Sequence, residues 1–194
     1  MISRVESAAA TRRALLDAAA ELLDSGGPEA VTLREVGARA GVSRGAPYRH
    51  FADKEALLVA VATEAWRQIG DDVEGLRAAS GLSPTDKLRA ALTAFVAIGR
   101  RRPHLYQMMF SSTAMAGAAQ HSQDGFIAII GELVGDEDAR RYAALLMAGA
   151  HGVIGMEVGG QLTVDKWQTS AEELVAVLVA ITTEARDRTW PRLG

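Results

Sequence analysis

The chain has 194 residues, of which 48% are hydrophobic and 23% charged, so it can fill the core of one ordinary domain or two small ones. It contains no cysteine, which excludes disulfides and thiolate catalysis and is compatible with a cytoplasmic protein. The formal net charge is −3 and the N-terminal residues 1–54 hold 8 Lys/Arg against 7 Asp/Glu, so bulk charge alone does not predict nucleic-acid binding. The longest apolar stretch, 142–156, is shorter than the roughly 20 residues of a membrane span, and no membrane partner is expected.

Helical patterns organise the first sixty residues. Apolar residues recur with helical spacing from Leu15 onward and predict a first helix that ends in the Ser-Gly-Gly-Pro stretch at 25–28. Thr32 with a glutamate three residues later forms a capping-box pattern, which starts a short second helix. Ser43 is expected to cap a third helix, and Asp53 a long fourth one.

The remaining two-thirds of the chain follows the same pattern. Ser83 precedes a proline and predicts a fifth helix, Pro103 opens a short sixth one, and further helices are expected near 123–134 and 138–160. A second capping box at Ser170 starts a last helix to about residue 188. No strand-like alternation appears, so the expected fold is all-α with about nine helices.

The stretch GVSRGAPYRHF at 41–51 allows two functions. Its first five residues match G-x-S-x-G, the nucleophile elbow of serine hydrolases, in which a strand leads into a helix. The alternative is a helix-turn-helix, a DNA-binding unit of two short helices joined by a tight turn. The residues before Gly41 have the apolar spacing of a helix rather than of a strand, which favours the helix-turn-helix. No catalytic residue is therefore expected.

The helix-turn-helix interpretation gives most residues of this stretch a role. Gly41 can adopt the left-handed conformation that ends a helix, Val42 fills the bend, and Pro47 is tolerated in a first helical turn. Phe51 anchors the far end. The residues left at the surface suit phosphate oxygens and base edges, with Ala46 placed to touch a thymine methyl.

Residues 31–61, VTLREVGARAGVSRGAPYRHFADKEALLVAV, resemble the N-terminal domain of the TetR (tetracycline repressor) family of transcriptional regulators. Ala46-Pro47 replaces the commoner Thr-Leu or Ser-Phe of that family. The resemblance implies phosphate contacts from Thr32, Tyr48, His50 and Lys54. It implies base reading by Arg34, Ser43, Arg44, Gly45 and Ala46, with Arg49 at a variable contact position.

The C-terminal part resembles the WHG subclass of TetR ligand domains, through RRPHLYQMMF at 101–110 and AGAHGVIGMEVGG at 148–160. The resemblance implies a helix-turn-helix domain at 1–53 and a ligand-binding and dimerisation domain at 54–194. We expect an apolar or amphipathic small-molecule effector, with His151 as the best residue to orient it. The candidate ligand-binding residues are Trp66, Phe95, Ile98, Tyr106, Met109, Phe110, Met115, Phe126, Ile130, Met147 and His151, although such residues at helical spacing can equally be plain core. No paired His or acid spacing favours a metal, and no cofactor is expected.

Small residues recur at i, i+4, i+7 and i+11 near the end of the chain and predict close helix approach. The expected dimer interface is a four-helix arrangement formed by Ala148, Gly152, Gly155, Gly159, Leu174, Val177, Leu178 and Ile181. The function predicted overall is a dimeric repressor that binds a pseudo-palindromic double-stranded operator and is released by an effector, which moves the long fourth helix as a lever. The rival is an all-helical small-molecule binding protein that has lost DNA binding.

Overall fold

A computed structural model of the chain describes residues 4–110 and 116–184. Within these ranges the chain forms ten helices and no strand, which confirms the all-α fold. None of the helices in the same ranges is both long and apolar enough to cross a membrane.

The described residues fall into two compact units. The first unit contains the chain up to Trp66 together with Arg102–Ala118, and the second contains Arg67–Arg101 and the chain from Ala119 onward. The helices of the first unit are α1 (Arg4–Ala30), α2 (Leu33–Arg39), α3 (Ala46–His50), the first half of α4 (Lys54–Ala78) and, farther along the chain, α6 (Pro103–Met109). The second unit holds the rest of α4, α5 (Pro84–Arg101), most of α7 (Ala116–Val134), α8 (Asp136–Val158), α9 (Val164–Trp167) and α10 (Ala171–Glu184).

The core of the first unit forms where α1 meets its neighbours. Leu15 and Leu23 are fully buried, as the apolar stripe of α1 predicts, and Leu57 of α4 is fully buried as well. The predicted end of the first helix appears as a break: Gly27 has φ 69 and ψ −173 inside α1. The His104 ring of α6 lies 3.2 Å from where a Cβ on Gly27 would be, so this position needs glycine for both backbone and space.

The core of the second unit packs α5 against α8. Leu88, Leu146 and Ile154 are buried to 1% exposure or less, and a Cβ on Gly99 would overlap the Ile154 side chain. A buried lysine, Lys87, donates a hydrogen bond of 3.0 Å to the carbonyl of Arg77 near the end of α4. Burying a charge is tolerated here because a carboxylate also lies within 3.6 Å.

Local capping signals in the sequence were reliable guides to helix starts. The hydroxyls of Thr32, Ser83 and Ser170 each accept a hydrogen bond from the backbone amide three residues later, at 3.1, 3.1 and 3.2 Å. Asp53 accepts in the same way at 2.7 Å at the start of α4. These predictions are confirmed.

Two helix starts differ from the predicted ones, and one helix was not predicted. α7 begins at Ala116 rather than near 123, α8 begins at Asp136 behind a left-handed Gly135 (φ 83), and the four-residue α9 was not predicted. A helix of four residues leaves too short a pattern for periodicity to detect. The predicted extension of the last helix to about residue 188 lies outside the described residues.

Candidate nucleic-acid interface

The 41–51 stretch joins two helices of the first unit. α2 precedes it, α3 lies within it, and no strand lies in the described ranges, so the nucleophile-elbow alternative lacks the sheet it requires. Gly41 has φ +67, the left-handed conformation expected of a residue that ends a helix. Together α2, the turn and α3 form the predicted helix-turn-helix.

The start of α3 differs from the prediction. Its N-cap residue is Gly45 and no side chain caps it, so the expected capping role of the Ser43 hydroxyl is wrong. Instead the Ser43 carbonyl accepts the Ala46 amide at 2.9 Å, which closes a backbone turn ahead of the helix. Ser43, Arg44 and Gly45 therefore lie in a turn, and α3 itself has only five residues.

A close approach between α2 and α3 fixes this turn. The backbone of Gly37 comes so near to Pro47 that a Cβ there would lie 2.8 Å from the proline Cγ. Gly37, Ala46 and Pro47 are all buried at this contact. Because Ala46 is only 3% exposed, its methyl is not available for the thymine contact expected from the sequence, and that expectation is wrong for its side chain.

Polar side chains line an open groove that also includes Gly37. A groove of about 540 Å³ is lined by Arg34, Gly37, Ala38, Val42, Arg44 and Tyr48. Two guanidinium groups and a phenol that is 61% exposed thus share one concave surface, whose lining within the described chain includes no carboxylate. Such a surface can donate hydrogen bonds to phosphate oxygens and base acceptors.

The other predicted contact residues differ in their exposure. Thr32, Ser43, Gly45 and Arg49 are exposed, whereas His50 and Lys54 are half-buried. Phe51, the residue that follows α3, is 5% exposed, which confirms the prediction that it anchors the end of this helix. The guanidinium of Arg12 on α1 lies 5.4 Å from the centroid of the Phe51 ring, a cation–π distance that ties α1 to the end of α3.

Part of the predicted ligand-binding set gathers within the first unit. The rings of Trp66 and Tyr106 each lie 5.1 Å from the Phe110 ring, and the Trp66 indole donates to the carbonyl of Met109 at 3.4 Å. Phe110 is nevertheless 41% exposed, which leaves aromatic surface open beside the buried Trp66. Burial raises the pKa of Tyr106 to about 12, so its hydroxyl stays protonated at neutral pH. Met115 lies outside the described residues.

The rest of that set belongs to the second unit. His151 meets Phe95 edge to face, with ring centroids 5.5 Å apart, and burial lowers the pKa of His151. A neutral imidazole has one donor and one acceptor nitrogen. Phe126 and Ile130 are buried, while Ile98 and Met147 are half-buried.

The predicted dimer residues form an exposed face on α8 and α10 of the second unit. Ala148, Gly152, Gly155 and Gly159 are all exposed, and Val177 and Ile181 are 51% and 48% exposed. Leu174 and Leu178 are half-buried beside them.

The sequence pattern did not identify two residues of this region. Leu145 is 47% exposed and lies three residues before Ala148, so the helical stripe itself was the signal for it. Gly149 makes the close approach between the two helices, because a Cβ there would lie 2.7 Å from Leu178 Cδ2. Glycine spacing alone could not distinguish Gly149 from Gly152 or Gly155, which have open space at that position.

A helix-turn-helix with this open basic groove defines the class of protein as a DNA-binding regulator. Two family models agree: bacterial regulatory proteins of the tetR family match residues 15–61, and the tetracyclin repressor-like C-terminal domain matches residues 88–182. The chain belongs to the TetR family of helix-turn-helix transcriptional regulators.

Individual relatives are also transcriptional regulators rather than enzymes. The transcriptional repressor KstR of Rhodococcus jostii is 32% identical over 108 residues, which are 56% of this chain and 50% of KstR. The chain thus spans about half the length of that curated relative. Among solved structures, a protein of unknown function from Rhodococcus sp. RHA1 has a TM-score of 0.75 at 26% identity, covering 90% of this chain and 94% of that one. SmeT, the repressor of a Stenotrophomonas maltophilia multidrug efflux pump, has a TM-score of 0.67 at 25% identity, covering 90% and 89%.

Proposed function

We propose that the protein is a cytoplasmic, ligand-responsive transcriptional repressor that binds a pseudo-palindromic operator as a homodimer. The observation that carries the proposal is the groove in which Arg34, Arg44 and Tyr48 stand together on the helix-turn-helix. A guanidinium can pair with two acceptors of guanine in the major groove, and a phenol can donate to a phosphate. Repression is supported by KstR and SmeT, which are both repressors.

Operator binding is tested first by selecting bound sequences from a random DNA pool and then by fluorescence anisotropy with the selected duplex. We expect Arg44→Ala to weaken binding by about 1–3 kcal/mol, which is roughly 5- to 150-fold, because a bidentate base contact is lost. Tyr48→Phe removes only one hydroxyl donor and should weaken binding by about 0.5–1.5 kcal/mol. Arg89→Ala is the matched control, since Arg89 is exposed on α5 in the second unit.

Two results separate the proposal from its rival. Binding that weakens with salt and with both helix-turn-helix variants, but not with the Arg89 control, supports operator recognition. Failure to recover any sequence from the pool, with the folded protein still binding small molecules, supports the helical binding protein that has lost DNA recognition. Equal affinity of the wild type and Arg44→Ala for the selected operator refutes the assigned role of the groove.

The homodimer is supported by the exposed face of α8 and α10. Gly152 and Gly155 have open space where a Cβ would be, so packing within this chain does not explain their lack of a side chain. A second copy that approaches closely would explain both this and the exposed Val177 and Ile181. We expect Val177→Glu with Ile181→Glu to give a monomer by sedimentation velocity and to abolish binding to the full operator, whereas Leu82→Glu should do neither. Two recognition helices must reach half-sites about 34–36 Å apart, which one copy cannot do.

The effector is proposed to be small and apolar or amphipathic. The support within the first unit is the exposed Phe110 ring, which contacts the buried Trp66 and the half-buried Tyr106. Within the second unit the support is the neutral His151 beside Phe95. The His151-Gly152 pair is also the basis for proposing the WHG subclass. Because α4 is one helix from Lys54 to Ala78, we propose that it passes the effect of the ligand to its first turn.

Effector binding is tested with anilinonaphthalene sulfonate, an amphipathic fluorescent probe. We expect the probe to gain fluorescence with the protein and to lower its affinity for operator DNA. Phe110→Ala should weaken probe binding several-fold and Leu82→Ala should not. Probe binding that leaves operator affinity unchanged would refute the proposed coupling without affecting operator recognition itself.

A further inference from the structure

The chain between α8 and α10 is ordered although it buries almost none of its apolar side chains. α9 has no buried residue: Val164 is 65% exposed and Trp167 is 48% exposed. Val158, at the end of α8, is 45% exposed. We call residues 158–168 the α9 segment.

Defined backbone contacts hold the α9 segment in place. The amides of Gln161 and Leu162 donate to the carbonyl of Met156 at 2.7 and 3.0 Å, and the Trp167 indole donates to the carbonyl of Gln161 at 2.9 Å. The segment ends at Gln168 with φ +51, a left-handed conformation that is unfavourable by about 1–2 kcal/mol for a residue with a side chain. The indole N–H is therefore satisfied within the segment. The Lys166 ammonium lies 5.1 Å from the centroid of the ring, and Trp167 remains 48% exposed.

Exposed apolar residues concentrate around this segment. Of the eleven large hydrophobic side chains that are exposed in the described ranges, six lie on α8, α9 and α10, all in the second unit. These six are Leu145, Val158, Val164, Trp167, Val177 and Ile181. Such a concentration is typical of a surface that a partner covers.

A second copy of the chain fits this surface best. The exposed stripe of α8 runs through Gly155 and Gly159 directly into the α9 segment, so the segment continues the face assigned to the dimer. A stable interface uses about 20–30 residues and about 800 Å² on each side. The eight predicted dimer residues include three glycines and an alanine, which supply little side-chain area, and the exposed apolar side chains of the α9 segment would add to that area.

We propose that the α9 segment packs against the partner subunit, with Val164 and Trp167 as its principal contacts. This proposal rests on the homodimer of the proposed function and extends its interface beyond α8 and α10. An aromatic residue with its polar atom already satisfied is suited to an interface, because its ring can be covered without stranding a donor.

The first test measures the dimer dissociation constant by sedimentation equilibrium. We expect Val164→Ser with Trp167→Ser to raise it at least tenfold, and Leu82→Ser to leave it unchanged, since Leu82 is 41% exposed but lies between α4 and α5. Circular dichroism shows whether each variant keeps its helices. An unchanged dissociation constant in the folded double variant overturns the proposal.

The second test does not depend on weakening the dimer. Because the chain has no cysteine, Trp167→Cys and Leu82→Cys each introduce a single thiol whose reaction with a maleimide can be timed. We expect the thiol at 167 to react several-fold more slowly at concentrations where the protein is dimeric than where it is monomeric, and the thiol at 82 to react equally at both. If the thiol at position 167 reacts equally fast in the monomer and in the dimer, the proposal for the α9 segment is overturned, but the homodimer itself is not. If the wild type is instead monomeric at every concentration, both the homodimer of the proposed function and the role of the α9 segment in it are refuted.

Discussion

Adding one carbon atom to Gly37 tests how closely the two helices of the helix-turn-helix must approach. The new Cβ of Gly37→Ala would lie 2.8 Å from Cγ and 3.4 Å from Cδ of Pro47. Non-bonded carbons prefer about 3.5–4.0 Å, so α3 must move by about 0.7 Å at the closest contact. A proline ring cannot rotate away, which makes backbone movement the available relief.

The effects on stability and on binding should differ in size. Overpacking destabilises by about 1–3 kcal/mol, and alanine regains about 1 kcal/mol over glycine inside a helix, so the free energy of unfolding should fall by about 0–2 kcal/mol. Operator affinity should fall at least tenfold, because a displaced Arg44 loses a geometry that contact sites hold to about 0.5 Å. Both are measured on the same preparation, by urea unfolding and by fluorescence anisotropy.

Rescue makes this prediction specific. Pro47→Ala removes the ring atoms that the new methyl would meet, so Gly37→Ala with Pro47→Ala should recover affinity, with a coupling energy of about 1–2 kcal/mol. Gly75→Ala is the control, because nothing lies within 4 Å of that position in α4, and it should raise stability by up to about 1 kcal/mol. If the double variant shows only the sum of the two single effects, the contact does not position α3 and the reasoning is wrong.

Three further predictions concern the second unit. Gly99→Ala should lower the free energy of unfolding by about 1–3 kcal/mol in urea, because its methyl would overlap the stiff, buried Ile154; a neutral effect would mean that α5 and α8 can separate freely. Ser170→Ala should destabilise by about 1 kcal/mol in the same assay, since it removes the acceptor of the Glu173 amide, and full stability in the variant would contradict this capping role. Burial lowers the pKa of His151, so this side chain binds a proton more readily in the unfolded chain than in the folded one. The free energy of unfolding should therefore be highest above about pH 6.5 and should fall as the pH drops below that value. Comparing melting temperatures at pH 7.5 and 5.5 should show a smaller decrease for His151→Gln than for the wild type, and equal decreases would exclude His151 as the source.

Interactions within a few residues were predictable from the sequence. Thr32, Asp53, Ser83 and Ser170 each cap the helix that directly follows them, so the pattern contains both partners of the hydrogen bond. The all-α fold was predictable for the same reason, since helical periodicity depends on residues only three or four positions apart.

Interactions between distant segments were not predictable in this way. Ser43 has the right side chain for a cap, but α3 has Gly45 as its N-cap, and its first turn contains Pro47, which contacts Gly37 of α2. The burial of Ala46 has the same origin, because a surface position in the sequence pattern becomes an inner one when the two helices approach so closely. The role of Gly149 likewise could not be predicted, because it depends on contact with Leu178, which lies on a different helix farther along the chain.

The break in α1 has a mechanical consequence for α6. The His104 ring lies over Gly27, and the guanidinium of Arg102 donates to the carboxylate of Asp24 at 2.8 Å. These two attachments are three residues apart on α1, so α6 is held against it at two points about one helical turn from each other. We expect a displacement of α6 to strain both contacts with α1.

That same α1 carries Arg12 over the Phe51 ring that closes α3. Within the first unit, α1 therefore contacts the start of α6 through Asp24 and Gly27, and the residue that ends α3 through Arg12. The helix that carries Tyr106 and the turn at 41–51 thus have a common neighbour in α1, and all of these contacts lie inside the first unit.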